Sequence, residues 1–306
     1  MMSMFRPAPP EAPVARPHSP WQRIAADFFE SRLATIGLVL VVLILFAAVF
    51  APWITPQNPY DLRQLTIMDG SLPPGGVGMT GQTFWLGTDP QGRDIASAMV
   101  YGLRLSMIVA GAATLGALAI GMAAGTCAAY FGGKVDTLIM RIVDVQLSFP
   151  AILIALILLA VFGRGVDKVI IALIFIQWAY YARTVRGSAL VERQRDYIEA
   201  ARCLAISHRR IMFRHLLPNC MPALIVVATV QVAQAIALEA TLSFLGVGVP
   251  ITEPSLGLLI ANGYDYLLSG RYWISVFPGI ALLVTIVAIN LVGDQLRDVM
   301  NPRLSK

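Results

Sequence analysis

The sequence predicts an all-α protein that crosses a membrane about six times. Of its 306 residues, 57% are hydrophobic and 13% are charged, and this charged fraction is about half that of a soluble globular domain. A hydrocarbon core about 30 Å thick takes roughly 20 apolar residues of helix to cross. Several uncharged stretches reach this length, so we interpret the chain as a polytopic membrane protein.

Five uncharged stretches each predict a membrane span. They cover residues 33–54, 105–130, 145–163, 216–238 and 272–293. A sixth stretch, 169–182, is short, and it spans only if Arg183 and Arg186 extend the helix and direct their charged groups to the interface. The chain then divides into a disordered or amphipathic tail at 1–32, a first span at 33–54, an external region at 55–104, a core of five spans at 105–294 and a second tail at 295–306.

The distribution of lysine and arginine predicts which side of the membrane each loop occupies. Six spans place both termini on one side, and that side carries 17 of the 23 basic residues. Because cytoplasmic loops hold an excess of such residues, both tails are expected in the cytoplasm. The net charge of +5 then reflects topology. No nucleic-acid partner is expected, since binding one would need a basic face on a folded soluble domain.

Two long segments are predicted on the external side, and each is a candidate cap for a translocation path. The first, 55–104, contains the tract GSLPPGGVG at 70–78, which we expect to be flexible because glycine and proline dominate it. The second, 246–271, contains PSLGLLIANG at 254–263, which predicts a short helix lying against the outer face.

The loop at 193–219 is polar, basic and predicted to form two short cytoplasmic helices. Asp196, followed three residues later by Glu199, is typical of a helix start with reciprocal capping. Ser207 is a candidate cap for a second helix at 208–216, which would end before Pro218 starts the next span. That helix would place Ile211, Met212 and His215 on one face and its arginines largely on another.

This loop resembles the cytoplasmic loop of importer permeases of ATP-binding cassette transporters. The family pattern is E-A-A, three residues, G, nine residues, I, one residue, L-P, and Glu199-Ala200-Ala201 and Leu217-Pro218 match it. Ala205 stands where the family has glycine, and His215 stands where it has isoleucine. Alanine with a positive φ costs about 1 kcal/mol or more, so we expect a less sharp bend.

The resemblance implies that the loop docks into a groove on a cytoplasmic ATP-hydrolysing subunit. Glu199 would make polar contacts there, and the apolar face of the two helices would fill the groove. Taken alone, the Glu-Ala-Ala triplet favours the alternative, a basic loop whose charges only determine topology, and it is the rest of the chain that favours the docking loop. The residues expected to couple this chain to the ATPase are Glu199, Ala200, Ala201, Arg202, Ala205, Ile206, Ile211, Leu217 and Pro218.

Segments along almost the whole chain are similar to the C-type permease subunit of the dipeptide, oligopeptide and nickel importer family. They are WLGTDPQGRDI (85–95), YGLRLS (101–106), YFGGKVD (130–136), RIVDVQLSFP (141–150), EATLSFLGVG (239–248) and GDQLRDVMNPRLSK (293–306). The similarity implies a type I importer permease fold in a bacterial inner membrane. It also implies a B-type permease partner, two ATP-binding subunits and an extracytoplasmic substrate-binding protein.

The chain itself is expected to be a transport subunit, without catalysis and without a bound cofactor or metal. It contains no G-x-x-x-x-G-K-[ST] loop, so ATP and Mg²⁺ are expected on the partner subunits. Peptides are the expected cargo, and nickel chelates, glutathione and antimicrobial peptides are the alternatives. All three histidines fall in predicted cytoplasmic segments, which favours peptide over nickel.

Two carboxylates in or at the ends of predicted spans are candidates for the translocation path or its gate. They are Asp144 and Glu239, and an ionised carboxylate near the bilayer centre usually faces protein or water. For Glu239 the alternative is a hydrogen bond or ion pair between helices. For Asp144 the alternative is an ion pair with Arg141, three residues earlier on the same helix.

Two other classes of membrane protein remain as alternatives. A secondary transporter or channel would show inverted repeats, broken helices or many polar residues in its spans, and we find no such repeat. An intramembrane enzyme would need a catalytic motif, and neither H-E-x-x-H nor G-x-S-x-G occurs. Both alternatives are therefore less favoured than a permease.

Overall fold

A computed structural model of the chain describes residues 20–300. This part is mostly helical, with a long loop region at 55–94 that contains a two-stranded hairpin, β1 (Gly76–Val77) with β2 (Thr83–Phe84). The α-helices are α1 (Pro20–Glu30), α2 (Arg32–Val49), α3 (Ala51–Ile54), α4 (Ile95–Phe131), α5 (Gly133–Leu147), α6 (Ala151–Phe162), α7 (Val166–Glu192), α8 (Asp196–Cys203), α9 (His208–Arg210), α10 (Leu217–Phe244), α11 (Leu256–Tyr264) and α12 (Trp273–Val299).

Five helical segments within residues 20–300 are long and apolar enough to cross a membrane. They are α2, α4, α7, the continuous helix His208–Phe244 and α12. A sixth candidate is the pair formed by α5 and α6, which are bent by 90° where they meet. The all-α architecture with about six spans is therefore confirmed.

The third predicted span, 145–163, is broken near its start and belongs to the bent pair of α5 and α6. Its first residues belong to α5, and the helix breaks before Pro150, which precedes α6. Proline lacks an N–H and its ring clashes with the carbonyl four residues earlier, so a helix usually bends or ends there. Hydropathy alone does not register this break, because every residue around it is apolar or uncharged.

The bent pair runs along α7 in the opposite direction. Near one end of α7, the Asp136 carboxylate of α5 accepts hydrogen bonds from Arg186 at 2.5 and 2.6 Å. Towards the other end, Ala155 and Leu159 of α6 lie in one buried cluster with Val169 of α7. The short stretch 169–182, predicted as a sixth span, thus lies inside the 27-residue helix α7, which is packed on several sides.

Close packing of α4 on α7 explains the small residues between 111 and 125. A Cβ atom on Gly121 would lie 2.4 Å from the Cβ of Tyr181, and one on Gly125 would lie 2.4 Å from the carbonyl oxygen of Ala182. No side chain fits at either position, so glycine lets the two backbones approach. This run therefore packs inside the chain.

Both predicted tails contain helix. In the N-terminal one, α1 packs against α12: Phe28 is buried, and Gln295 donates a hydrogen bond to the carbonyl of Asp27 at 3.1 Å. In the C-terminal one, α12 continues from the predicted boundary at 295 to Val299. The predictions for residues 1–19 and 301–306 lie outside the described residues.

The tract 70–78, predicted to be flexible, is instead held in a loop by hydrogen bonds. Thr88 Oγ1 accepts a hydrogen bond from the N–H of Leu72 at 2.7 Å and donates one to the carbonyl of Asp69 at 2.5 Å. Nearby, Arg93 Nε and Asp89 form an ion pair at 2.7 Å whose side chains are almost fully buried. These paired polar groups hold the segment at the start of α4, whose N-cap is Asp94.

The short helix predicted at 254–263 is confirmed as α11. Its close contact with α10 depends on Gly257, where a Cβ atom would lie 2.0 Å from the carbonyl oxygen of Ala240. This contact brings Ser255, at the start of α11, next to the end of α10.

Candidate coupling site and translocation path

The loop 193–219, called the knuckle below, folds into one short helix and the first turns of a long one. The short helix is α8, and Asp196 and Glu199 lie in its first turn, where the helix dipole favours acidic side chains. Its N-cap residue is Arg195, so the prediction that Asp196 caps this helix is wrong. Ser207 occupies the N-cap position of the second helix, as predicted, although its side chain makes no capping hydrogen bond.

Pro218 does not start a new span, contrary to its prediction. Residues 211–216 form a π-helix that joins α9 to α10, and the N–H of Leu217 bonds to the carbonyl of Met212, five residues earlier. The π-helix turn immediately precedes Pro218, which has no N–H to donate. The knuckle is thus continuous with the membrane helix, so a displacement of one moves the other.

Ala205 adopts the left-handed conformation that the family pattern reserves for glycine. Its φ is +54°, its N–H bonds to the carbonyl of Arg202 at 2.9 Å, and the N–H of Ile206 bonds to the carbonyl of Ala201 at 3.2 Å. This pair of hydrogen bonds is the Schellman motif that ends many helices. The softer bend expected from alanine is therefore not found.

Replacing Ala205 with glycine is expected to stabilise the protein by about 1 kcal/mol, because it removes the strain of a Cβ at positive φ. The unfolding temperature in detergent should rise by roughly 2–4 °C. Ala200→Gly is the matched control, since Ala200 is exposed in α8 and glycine within a helix costs about 1 kcal/mol. A lower unfolding temperature for Ala205→Gly would contradict this prediction.

The predicted coupling residues divide between the surface of the knuckle and its interior. Ala201 and Ile211 are buried, and Ile206 and Leu217 are partly buried. The exposed members are Glu199, Ala200, Arg202, Ala205 and Pro218.

The apolar face of the knuckle packs inside this chain. Ile211 and Met212 lie in one cluster with Tyr130 of α4 and Ala189 of α7. These two side chains are therefore not free to fill a groove on another subunit, contrary to the prediction from sequence. Leu204, which no sequence prediction singled out, projects from the tip of the knuckle with 75% of its surface exposed. Its position directly after α8, at the helix C-cap, is the only signal of this exposure.

Several polar contacts fasten the knuckle to the ends of the membrane helices. Tyr130 of α4 forms a hydrogen bond with His208 Nδ1 at 2.6 Å, and the guanidinium of Arg202 lies 5.3 Å from the centre of the Tyr130 ring. Arg193 donates to the carbonyl of Ala129 at 2.8 Å. The knuckle is thus linked to α4 by groups on both sides of its bend.

A second set of contacts joins α8 to the end of α7 and the start of α10. The Tyr197 hydroxyl donates to the Glu192 carboxylate at 2.8 Å and accepts from Asn219 Nδ2 at 3.0 Å. Partial burial and the Glu192 carboxylate raise the pKa of Tyr197 to about 12. Its hydroxyl therefore keeps its proton, and its hydrogen bond to Glu192, throughout the physiological pH range.

Glu239 is fully enclosed by protein and does not line an open path. Its carboxylate accepts hydrogen bonds from Ser106 of α4 at 2.8 Å, from Ser243 at 2.8 Å and from Ser255 at 2.9 Å. Its relative exposure is 0%. This geometry favours the alternative stated above, a hydrogen-bonded link between helices, and it joins α4, α10 and α11.

Asp144 lies on the surface of α5 and pairs with a different residue from the one expected. Its carboxylate accepts a hydrogen bond from Arg183 of α7 at 2.7 Å, where the predicted partner was Arg141. Both side chains are more than half exposed, so the pair contributes little to stability. The structure therefore does not bring Asp144 and Glu239 together.

Comparison with known protein families identifies the class to which this arrangement belongs. Residues 117–306 match the family described as binding-protein-dependent transport system inner membrane component. Residues 19–74 match the N-terminal transmembrane domain of oligopeptide transport permease C. The chain therefore belongs to the family of binding-protein-dependent transport system inner membrane components.

Within that class, the chain is a permease component of an ATP-binding cassette importer. It is 39% identical over 295 residues to the dipeptide transport system permease protein DppC of Escherichia coli K12, covering 96% of each chain. It is 35% identical over 304 residues to the di/tripeptide transport system permease protein DppC of Pseudomonas aeruginosa UCBPP-PA14, covering 99% of each. Its role is that of a membrane-spanning transport subunit, and its family works with ATP-binding subunits and a substrate-binding protein.

A solved structure shows the same fold. In the inward-facing MetNI methionine ABC transporter, one chain aligns with 67% of this chain and 97% of its own length, with a TM-score of 0.55 and 22% identity. The importer permease fold predicted from the family resemblance is therefore confirmed.

Proposed function

We propose that this permease carries short peptides into the cell. The observation that supports the cargo is the similarity along 96–99% of the chain to permeases named for dipeptides and for di- and tripeptides. Such similarity covers the external segment as well as the core, so both ends of the path resemble those of peptide permeases.

The proposed complex contains a B-type permease, two ATP-binding subunits and an extracytoplasmic binding protein. ATP and Mg²⁺ are held by the ATP-binding subunits, which hydrolyse ATP, and this chain binds neither. Both termini lie in the cytoplasm, as the excess of basic residues on their side indicates. The exposed face of the knuckle, from Glu199 to Ala205, docks on one ATP-binding subunit.

The contacts of the knuckle suggest how movement passes into the membrane. When ATP draws the two ATP-binding subunits together, each pulls the knuckle docked on it. Because the knuckle continues into α10 and is bonded to α4 through Tyr130 and Arg193, its displacement tilts both helices. The ATP-bound state then needs only to favour one of two arrangements of the bundle, and hydrolysis restores the other.

Uptake by the purified complex tests the cargo. The four-component complex in proteoliposomes, with its binding protein outside and ATP inside, should accumulate labelled dialanine, and unlabelled di- and tripeptides should compete. A nickel–histidine chelate and glutathione, offered as labelled substrates, separate the alternatives. Uptake of either of these without uptake of peptide would overturn the peptide assignment and leave the permease class intact.

A further inference from the structure

A cavity of about 460 Å³ lies between α7, α10 and α12, and neither candidate carboxylate takes part in it. Its wall is mostly apolar, but five polar or charged side chains also reach it. Side chains that line it include Gln177, Tyr180, Val230, Gln231, Gln234 and Arg297.

Two amides in its wall lack hydrogen-bond partners among residues 20–300. They are Gln177 Oε1, an acceptor, and Gln231 Nε2, a donor. Gln177 is 1% exposed and Gln231 is 6% exposed. The Nε2 group of Gln177 donates to the carbonyl of Gln231 at 2.8 Å, which holds the unpaired oxygen in place. Buried polar groups are nearly always paired, so this acceptor and this donor are free to pair with a polar group that enters the cavity.

The two glutamines lie near the middle of their helices. Gln177 is the twelfth of the 27 residues of α7, and Gln231 is the fifteenth of the 28 residues of α10. Both glutamines therefore lie within membrane-spanning helices, and Arg297, near the end of α12, lines the same cavity. A lipid chain offers no hydrogen-bonding group, so lipid cannot satisfy either amide.

We infer that this cavity, called the amide site below, binds the main chain of the peptide during its passage. A peptide bond presents one N–H and one C=O, which complement Gln177 Oε1 and Gln231 Nε2. Gln234, exposed on the same wall, offers a further amide. Arg297, exposed at one end of the cavity, carries the positive charge that a terminal carboxylate requires. Contacts to main-chain atoms do not depend on side-chain identity, as a carrier of many peptides needs.

The amide site rests on the proposed peptide cargo, and Gln231→Met tests it. Methionine has a similar length and removes the unpaired amide. In proteoliposomes saturated with loaded binding protein, the number of dialanine molecules imported per ATP hydrolysed should fall at least fivefold. The thermal stability of the complex should stay equal or rise, because a buried unpaired group is removed.

Gln146→Met is the matched control. Gln146 is buried like Gln231, but it is paired, donating to the carbonyl of Ile176 at 3.2 Å and accepting from Trp178 at 2.8 Å. Methionine there should lower the thermal stability and leave the ratio of peptide to ATP unchanged. An unchanged ratio for Gln231→Met would overturn the amide site.

Photocrosslinking shows what occupies the cavity. A photoreactive side chain at Val230, which lines the cavity and is 41% exposed, should label dialanine during turnover. The same group at Leu153 of α6, which is 50% exposed and lies outside the cavity, should not. Crosslinks from Val230 only to the second permease would show that its surface fills the cavity, and would overturn the inference. If the unsubstituted complex imports no dialanine, the proposed cargo fails first, and the amide site fails with it.

Discussion

Replacing Glu199 with arginine is expected to reduce ATP-driven transport at least about 30-fold while the chain still folds and inserts. Glu199 is exposed on α8 and makes no side-chain hydrogen bond within residues 20–300, and exposed substitutions usually change stability by less than about 0.5 kcal/mol. Reversing a charge in a docking surface costs about 2 kcal/mol or more of binding free energy, which is roughly a 30-fold loss of affinity.

The measurement is co-purification of the ATP-binding subunits with the tagged chain, together with ATP hydrolysis and dipeptide uptake. Glu30→Arg is the matched control, because Glu30 is exposed at the end of α1, away from the knuckle, and its reversal should change none of the three. Full recovery of the ATP-binding subunits with Glu199→Arg would show that the knuckle does not dock through this residue.

Replacing Glu239 with leucine is expected to destabilise the protein by about 3 kcal/mol, through three buried serine hydroxyls that lose their acceptor at about 1 kcal/mol each. Ser106, Ser243 and Ser255 all have a relative exposure of 0%. The unfolding temperature in detergent should fall by roughly 6–12 °C, at about 2–4 °C per kcal/mol. The protein loses stability because the three serine hydroxyls between α4, α10 and α11 are left unpaired.

Alanine at the three serines in the Glu239→Leu background should restore a large part of this stability. When both sides of a buried hydrogen bond become apolar, the change can be nearly neutral. Each serine-to-alanine variant alone, with Glu239 retained, should lower the stability instead. If Glu239→Leu kept its unfolding temperature but changed which peptides are transported, Glu239 would be a lining residue after all.

Hydropathy predicted the spans well because it is a local property. Residues 105–130 lie in α4 and 272–293 lie almost entirely in α12, and their boundaries moved only where a helix extends beyond the apolar stretch. The span at 145–163 was located, but its 90° bend was not predicted by hydropathy, because the bend depends on Pro150 and on contacts with α7, thirty residues away along the chain. Hydropathy reports whether a residue prefers lipid, but it does not report the direction in which a helix runs.

In the knuckle, too, a local pattern predicted the position of the segment, and tertiary contacts decided the environment of each side chain. The Glu-Ala-Ala pattern located the loop and its bend, and Ala205 occupies the bend although it is not glycine. Which side of the knuckle faces outward could not be predicted, because Ile211 is buried by Tyr130 and Ala189, residues that lie far from it in sequence. Leu204 takes no part in this buried cluster, so its side chain stays exposed.

The translocation path depended most on tertiary structure. Asp144 and Glu239 are candidates in the sequence because a charge in a span is unusual. In the folded chain, however, Asp144 pairs with Arg183, and Glu239 accepts hydrogen bonds from three serines. Gln177 and Gln231 carry no charge, so the search for charges in the spans did not predict them. Their position in the middle of apolar stretches was the available signal, and only the packing of α7 on α10 leaves their amides unpaired.

The amino-acid sequence by itself determined that this protein is helical, lies in a membrane and belongs among importer permeases, because composition, apolar length and motif spacing are properties of consecutive residues. Tertiary structure decided which helix bends, which face of the knuckle is exposed and which polar groups remain free to bind. Those outcomes depend on contacts between residues far apart in the sequence, such as Ser106 and Glu239, which are separated by 133 positions, and a contact at that separation leaves no local pattern in the chain.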